Sequence, residues 1–414
     1  MVYVISIDDK PLMPCKPVVA RLLLKQGKAR VVSRVPFTIR LLHRTTDYTQ
    51  PLTHGIDTGS GIIGSAVIDS NGNVIYASEI EIRNDITRKM KQRAIYRRNR
   101  RNRKTRYRKA RWQNRKNSIR KDRFSPTMTS KINSHLKEVK FVNSILPVTK
   151  TIIETATFDP HALKNPEVLK NKLLYQKGIK YGYANTRAYV LFRDGYKCRH
   201  CSGKSKVKRL EVHHIRFKRE KGSDDPENLI TLCKACHNAI HQEGLTLKLK
   251  GKKKGRLNHA TQMNNIRVQL LKLLPEAEET FGFITKEHQQ MYNMKKEHHI
   301  DAALIAGQGT KPIFKTNTVL FKKCVPDGDY QQFKGRRSEQ KIETGKIHGF
   351  RKFDKVRYKN NEHFIKGRMS TGYVILMDIH GKKIDLKPMP KFEKMERESA
   401  RKTWVMYLET TVNI

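Results

Sequence analysis

The chain has 414 residues, and its 86 Lys and Arg against 38 Asp and Glu leave a formal charge of +48. Such an excess repels itself in a compact fold and calls for a polyanionic partner, of which nucleic acid is the usual one. With 37% hydrophobic residues the chain can build cores, which excludes a purely disordered basic protein, and no apolar run approaches the roughly 18 to 20 residues that span a bilayer.

Residues 1 to about 50 alternate strand-like and helix-like patterns around the proline cluster Lys10 to Pro17, predicting a small β/α module. Three strands follow, around Gly55 to Asp57, Ile62 to Asp69 and Val74 to Ile82, the last two joined by an Asn71-Gly72 hairpin turn. Between Arg88 and Arg123 the chain carries 13 Arg and 6 Lys against one acid, Asp122, with no Pro or Gly. This reads as one helix, about 54 Å long. Its bias to arginine favours bidentate phosphate contacts over a merely solubilising face. A short apolar strand, Thr151 to Thr155, comes next, and Ile300, Ala303 and Leu304 show helical spacing far downstream. The last hundred residues alternate in period two over Phe353 to Tyr358, Tyr373 to Ile379 and Lys383 to Lys387, predicting a basic β-rich domain.

Three acids sit at the ends of apolar elements. Asp57 lies in Gly55-Ile56-Asp57-Thr58-Gly59, Glu154 in Ile152-Ile153-Glu154-Thr155, and Asp301 on a helix with His298 three residues earlier on the same face. Hard oxygen ligands from separate elements are what two Mg²⁺ ions need to hold an attacking water and a leaving oxygen on either side of a phosphodiester. Either His298 or His299 can serve this site as a base.

Four of the six cysteines form two pairs, Cys198-x-x-Cys201 and Cys233-x-x-Cys236. Two such knuckles predict a tetrahedral structural zinc site in a reducing, cytoplasmic setting, with no secretory signal. Between and after them come His213-His214, Asn228 and His237, the pattern of an HNH, or ββα-metal, nuclease. The resemblance to that motif implies His214 as the general base for water, His213 and His237 as ligands of one Mg²⁺, and Asn228 as the residue that orients the loop bearing His214. His241, four residues past His237, stays open between this set and a merely structural place on the helix.

The split carboxylate set resembles the RuvC nuclease, a variant of the RNase H fold. A RuvC core interrupted by an HNH domain, with an arginine-rich helix after its first motif, resembles the CRISPR type II effector nucleases. Pro11-Leu12-Met13-Pro14 makes the chain similar to IscB, the compact transposon-encoded family whose N-terminal module is named for that PLMP sequence. Thr58 departs from the proline that often follows the aspartate in these proteins. The resemblance implies an α/β multidomain chain: a PLMP module at 1–53, RuvC parts at 54–84, 126–180 and 249–312, a bridge helix at 85–125, the HNH domain at 181–248, and a β-rich C-terminal domain at 313–414 that contacts the target-adjacent motif and RNA.

It further implies an RNA-guided DNA endonuclease, monomeric within a ribonucleoprotein, that binds an ωRNA guide and double-stranded DNA. HNH would cut the target strand and RuvC the non-target strand, with Arg93, Arg97, Arg98, Arg100, Arg101, Arg103, Arg106 and Arg108 on the RNA. Base pairing would read sequence while the protein grips backbone and a short flanking motif. A guide-independent homing-type endonuclease is the alternative, and a catalytically silent nucleic-acid-binding regulator a third reading. The presence of every candidate ligand argues against the last.

Overall fold

The computed structural model describes residues 1–46, 48–102, 124–204, 207–220, 222–247, 257–315, 318–326, 330–331, 340–341 and 346–410. Two compact units emerge, one of Met1–Ala156 with Asn265–Ile414 and the other of Thr157–Asn264.

The first unit opens with β1 (Val2–Ile5), β2 (Pro11–Cys15), α1 (Pro17–Lys25), β3 (Ala29–Arg34) and β4 (Phe37–Leu41), a four-stranded sheet in the order β2-β1-β4-β3. Pro17 at the start of α1 suits the first helical turn, where no partner exists for its missing N–H. The expected β/α pattern is thus present. The PLMP tetrapeptide forms the body of β2.

The central sheet begins with β5 (Leu52–Asp57), β6 (Ile62–Asp69) and β7 (Asn73–Glu81), all antiparallel neighbours. The hairpin between the last two turns where expected: Gly72 takes φ +79°, and Asp69 Oδ1 accepts from the backbone N–H groups of Asn71 and Asn73 at 2.9 Å each. Helix α2 (Ile86–Asn102) follows, and the rest of the expected bridge helix lies outside the described residues. Helix α3 (Pro126–Ile145), which strand-seeking patterns did not bring out, is capped by Ser125, whose side chain accepts from Met128 N–H. Strand β8 (Lys150–Thr155) then runs parallel to β5.

The second unit contains α4 (Thr186–Arg193), β9 (Leu210–His214), β10 (Leu229–Cys233) and α5 (Lys234–Gln242). Strands β9 and β10 pair antiparallel, with His213 opposite Ile230. A small core of Ile230, Leu232, Cys198 and Cys233 closes beneath them.

The first unit resumes at Asn265, within a helix of Asn258–Leu273, and continues with β11 (Glu278–Phe281), α6 (Gly282–Met291), α7 (His298–Gly307), β12 (Ile313–Phe314) and β13 (Thr318–Cys324). A short antiparallel pair, β14 (Tyr330–Gln331) and β15 (Gln340–Lys341), precedes β16 (Lys355–Tyr358), β17 (Asn361–Arg368), β18 (Val374–Met377), β19 (Lys383–Ile384), β20 (Glu396–Ser399) and β21 (Trp404–Thr410). Strands β16 to β20 make a five-stranded antiparallel sheet around Val356, Ile365, Val374 and Leu376. The sequence placed everything after residue 313 in that domain. The structure instead adds β13 and β21 to the central sheet, whose order becomes β11-β8-β5-β6-β7-β13-β21. Burial explains the difference, because Leu320 of β13 packs into the cluster of Tyr76, Val142 and Leu52.

Alternation along β6 builds two cores. Val67 faces α3, in a cluster with Val142, Ile145 and Leu146, while Ala66 and Ile68 face α7, against Ala302, Ala303 and Ala306. The small residues let α7 lie almost on the backbone: a Cβ on Gly55 would stand 2.2 Å from the Ala302 carbonyl, and one on Gly64 1.9 Å from that of His298. On the α3 side a fully buried ion pair joins Lys322 of β13 to Glu138 of α3 at 2.6 Å. Glu138 Oε1 also accepts from Tyr76 and Ser78, and the Lys322 ammonium lies 3.9 Å from the Phe141 ring centre.

Candidate active sites

In the central sheet, the pairing of β5 with β8 sets Asp57 directly beside Glu154. Thr58 ties the two strand ends together, its hydroxyl donating to the Glu154 carbonyl at 2.7 Å. The departure from proline therefore supplies a cross-strand hydrogen bond. Asp301 and His298 come from the first turn of α7, which rests on Gly64. His298 Nδ1 lies 2.6 Å from Asp57 Oδ2. Glu154 also accepts from the Thr285 hydroxyl of α6, and a Cβ on Gly282 would stand 3.0 Å from its Oε1. Asp57, Glu154, His298 and Asp301 are thus brought to one end of the sheet.

Crowding of these acids shows in their protonation. Burial, with the charges of Asp57 and Asp301, pushes Glu154 up to about 7 against the pull of Thr285 and Lys296. Burial and Asp57 push Asp301 up to about 6. The hydrogen bond to Asp57 raises His298 above the ordinary imidazole value. A set of carboxylates that resists full ionisation fits divalent cations, which would supply the compensating charge.

His299 does not share this site. It is buried, with Nδ1 3.0 Å from Glu79 Oε1 and its ring edge-on to Phe314 at 6.0 Å. Of the two histidines left open by sequence, only His298 touches an acid of the set.

The second unit brings together two ligand groups. The Sγ atoms of Cys198, Cys201, Cys233 and Cys236 lie within 4.8 Å of one another, and so do ring nitrogens of His213, His237 and His241. Burial and the neighbouring thiols push Cys236 up, as expected of a cluster that wants a cation. His241 joins this group: it stands four residues after His237 on α5, hence on the same face, and its ring centre is 4.7 Å from that of His237 and 5.0 Å from that of His213. The i, i+4 spacing was the available signal. Among the described residues, His213 Nε2 is a buried atom with no hydrogen-bond partner, and burial beside the other two rings lowers His213 to about 4. A neutral imidazole with an unmatched nitrogen fits a metal ligand.

Two carboxylates that motif reasoning missed serve these histidines. Glu211 Oε2 lies 3.1 Å from His237 Nδ1, leaving Nε2 for the cluster. Asp224 Oδ1 lies 2.9 Å from His214 Nε2 and 3.0 Å from Lys218 Nζ, and those two partners hold Asp224 below the usual carboxylate range. Asn228, fully buried, accepts from Arg216 N–H at 3.0 Å and donates to the carbonyls of Arg216 and Ser223 at 3.1 and 2.8 Å. It thereby fixes the turn that follows His214.

On α2, Arg93, Arg97 and Arg98 are exposed. Arg103, Arg106 and Arg108, with the side chains of Arg100 and Arg101, lie outside the described residues. Among the described residues no helix is long and apolar enough to cross a membrane.

Comparison with known proteins agrees with the nuclease chemistry. Residues 198–243 match the HNH endonuclease family, and residues 2–178 match the RRXRR protein family. The chain therefore carries an HNH endonuclease domain. A comparison with curated proteins returned no match. Among solved structures the chain is similar in part to Streptococcus thermophilus Cas9 in complex with an AGGA PAM, at 12% identity and a TM-score of 0.35 over 62% of this chain and 32% of that one. It is also similar to the Type II-C Cas9 enzyme from Actinomyces naeslundii, at 14% identity and a TM-score of 0.17 over 44% and 31% of the two chains. The chain spans about a third of the length of the Cas9 proteins it matches.

Proposed function

We propose that the chain is an RNA-guided DNA endonuclease of the IscB type, with one divalent-metal site on a RuvC-like sheet and another in the HNH insert. The observation that carries this reading is the coexistence of two separate ligand sets, Asp57, Glu154 and Asp301 on the sheet and His213, His237 and His241 in the insert. Three antiparallel strands followed by parallel β8 and β11, with α7 laid across them, support the RNase H-like assignment. The charge of +48 and the exposed arginines of α2 support an RNA held together with a DNA duplex. The domain limits read from sequence belong to the same proposal.

Mg²⁺ bound at each site would polarise the scissile phosphate and stabilise charge on the leaving oxygen. Asp224, an ionised acceptor, fixes the proton of His214 on Nε2. Nδ1 of His214 is then the nitrogen that takes a proton from water, and Asn228 keeps its loop in place. On the sheet, His298 donates from Nδ1 to Asp57 and keeps Nε2 for the substrate or a water. Cys198, Cys201, Cys233 and Cys236 hold a structural zinc that fixes α5 against β10.

The test is to purify the protein from cells carrying its native flanking DNA and sequence the nucleic acid that accompanies it. One dominant structured RNA, required for cleavage of a matching duplex, is expected. Equal cleavage of a specific duplex by RNA-free protein would establish the guide-independent reading instead.

A further inference from the structure

Helix α7 carries two residues of the sheet-borne site, yet it lacks a local cap. Its N-cap residue, Glu297, makes no side-chain capping bond, so the first N–H groups of the helix need partners from elsewhere. One comes from 220 residues away: Glu79 Oε1 accepts from the His299 backbone N–H at 3.2 Å and lies 3.0 Å from His299 Nδ1. Glu79 stands on β7 opposite Gly64, the residue on which the His298 carbonyl rests. The His299 ring is enclosed, edge-on to Phe314, with Nε2 3.5 Å from Glu297 Oε2.

We propose that Glu79 and His299 form a latch that positions the catalytic helix, capping α7 from the sheet and fixing the rotation at which His298 and Asp301 meet Asp57 and Glu154. Gly64 sets how closely the helix approaches; the latch sets where along the sheet and at what angle its first turn lies. Rotation matters because His298, His299 and Asp301 are close neighbours on one turn, spaced about 100° per residue. Turning the helix by one residue would present His299 to Asp57 in place of His298. A carboxylate at a helix N-terminus also meets the positive end of the helix dipole. Glu79 is therefore a positioning residue, although a carboxylate so near the acid set invites assignment as a further metal ligand. Its Oε1 is already committed to two N–H donors of one residue, and His299 holds the Glu79 carboxyl below its usual range against the opposing effect of burial.

The inference rests on the two-site reading, and the full chain with its copurified RNA and a duplex labelled on each strand tests both. With Asp57→Ala as reference, one strand should go uncut; if both strands are still cut, the two-site reading fails and the latch with it. If that reference behaves, Glu79→Ala and His299→Phe should each slow cleavage of the same strand about 10- to 100-fold, the usual cost of losing an orienting partner. The loss should fall on kcat with KM unchanged, and the other strand should be cut at the normal rate. The double variant should be no slower than the worse single one, and Glu79→Gln, which still accepts both N–H groups, should stay within a few-fold of the parent. Glu79→Gln as inert as Asp57→Ala would make Glu79 a ligand and overturn the latch. So would full activity of Glu79→Ala, or equal loss on both strands.

Discussion

In the sheet, the candidate ligands are carboxylates drawn from Asp57, Glu154 and Asp301, on elements far apart in the chain; in the insert, the candidates are imidazoles of His213, His237 and His241 on one strand and the helix that follows its partner. Burial acts on both in the same sense, against the charged form, but the consequences differ. It raises Glu154 to about 7 and Asp301 to about 6, so the sheet site partly protonates near neutrality. It lowers His213 to about 4, so that ligand is already neutral at the same pH. The sheet site must lose protons to receive a cation. The insert meets a cation with His213 already uncharged, and Glu211 holds the His237 ring in place.

The largest expected effect would separate the sites outright. His214→Ala should slow cleavage of one strand by about 10³-fold, the scale of losing a general base, while Asp57→Ala should silence the other, read on a denaturing gel with each strand labelled. Loss of both cuts from either change would end the comparison. Next, Cys233→Ser should release the zinc and open residues 198–243 to protease, while the strand cut by the sheet site is still cleaved. Protection equal to the parent's would mean that the cysteines need no metal. A smaller effect is expected of His241→Ala, which should raise the Mg²⁺ concentration needed for the insert's cut by at least about tenfold. An unchanged requirement would return His241 to a structural role.

The smallest effect sharpens the contrast in protonation. Metal binding to the sheet site should release roughly one to one and a half protons at pH 6 and almost none at pH 8.5, measured by calorimetry in buffers of different ionisation heat with the insert's histidines replaced. The sign follows from raised carboxylates, which are neutral below their shifted values, so affinity falls as pH drops through about 7. Proton release independent of pH would contradict the crowding of Glu154 and Asp301.

Much of this was legible in the chain because motifs are local. The Asn71-Gly72 turn, the cysteine pairs, His213-His214 and the strand-end acids each announce themselves within a few residues. What stayed hidden depends on who sits opposite whom. Glu79 lies in Asn73–Glu81, whose period-two burial predicts its face but not that α7 would cover it. Glu211 and Asp224 look like ordinary surface acids until β9 and its loop set them beside histidines. Helix α3 had a readable start, Ser125-Pro126, but its buried Lys131, His135 and Glu138 blur the apolar stripe by which a helix is usually recognised. Strands β13 and β21 lay inside the stretch read as one basic β-rich domain, and nothing in a strand's own sequence names the sheet it will join.

The buried pair of Lys322 and Glu138 sets an order of events during synthesis. Glu138 leaves the ribosome 184 residues before its lysine, a delay of roughly 10 to 40 s at ordinary elongation rates. Through that interval the underside of the sheet holds a carboxylate without its counter-charge, and β21, the last strand of the sheet, is later still. Residues 157–264 are complete by then and have a core of their own. Ribosome-stalled chains ending near residue 300 should therefore show a protease-resistant insert beside an unprotected Met1–Ala156. The insert is thus ready to fold, with its four cysteines gathered, while the sheet whose strands flank it in the chain is still waiting to close.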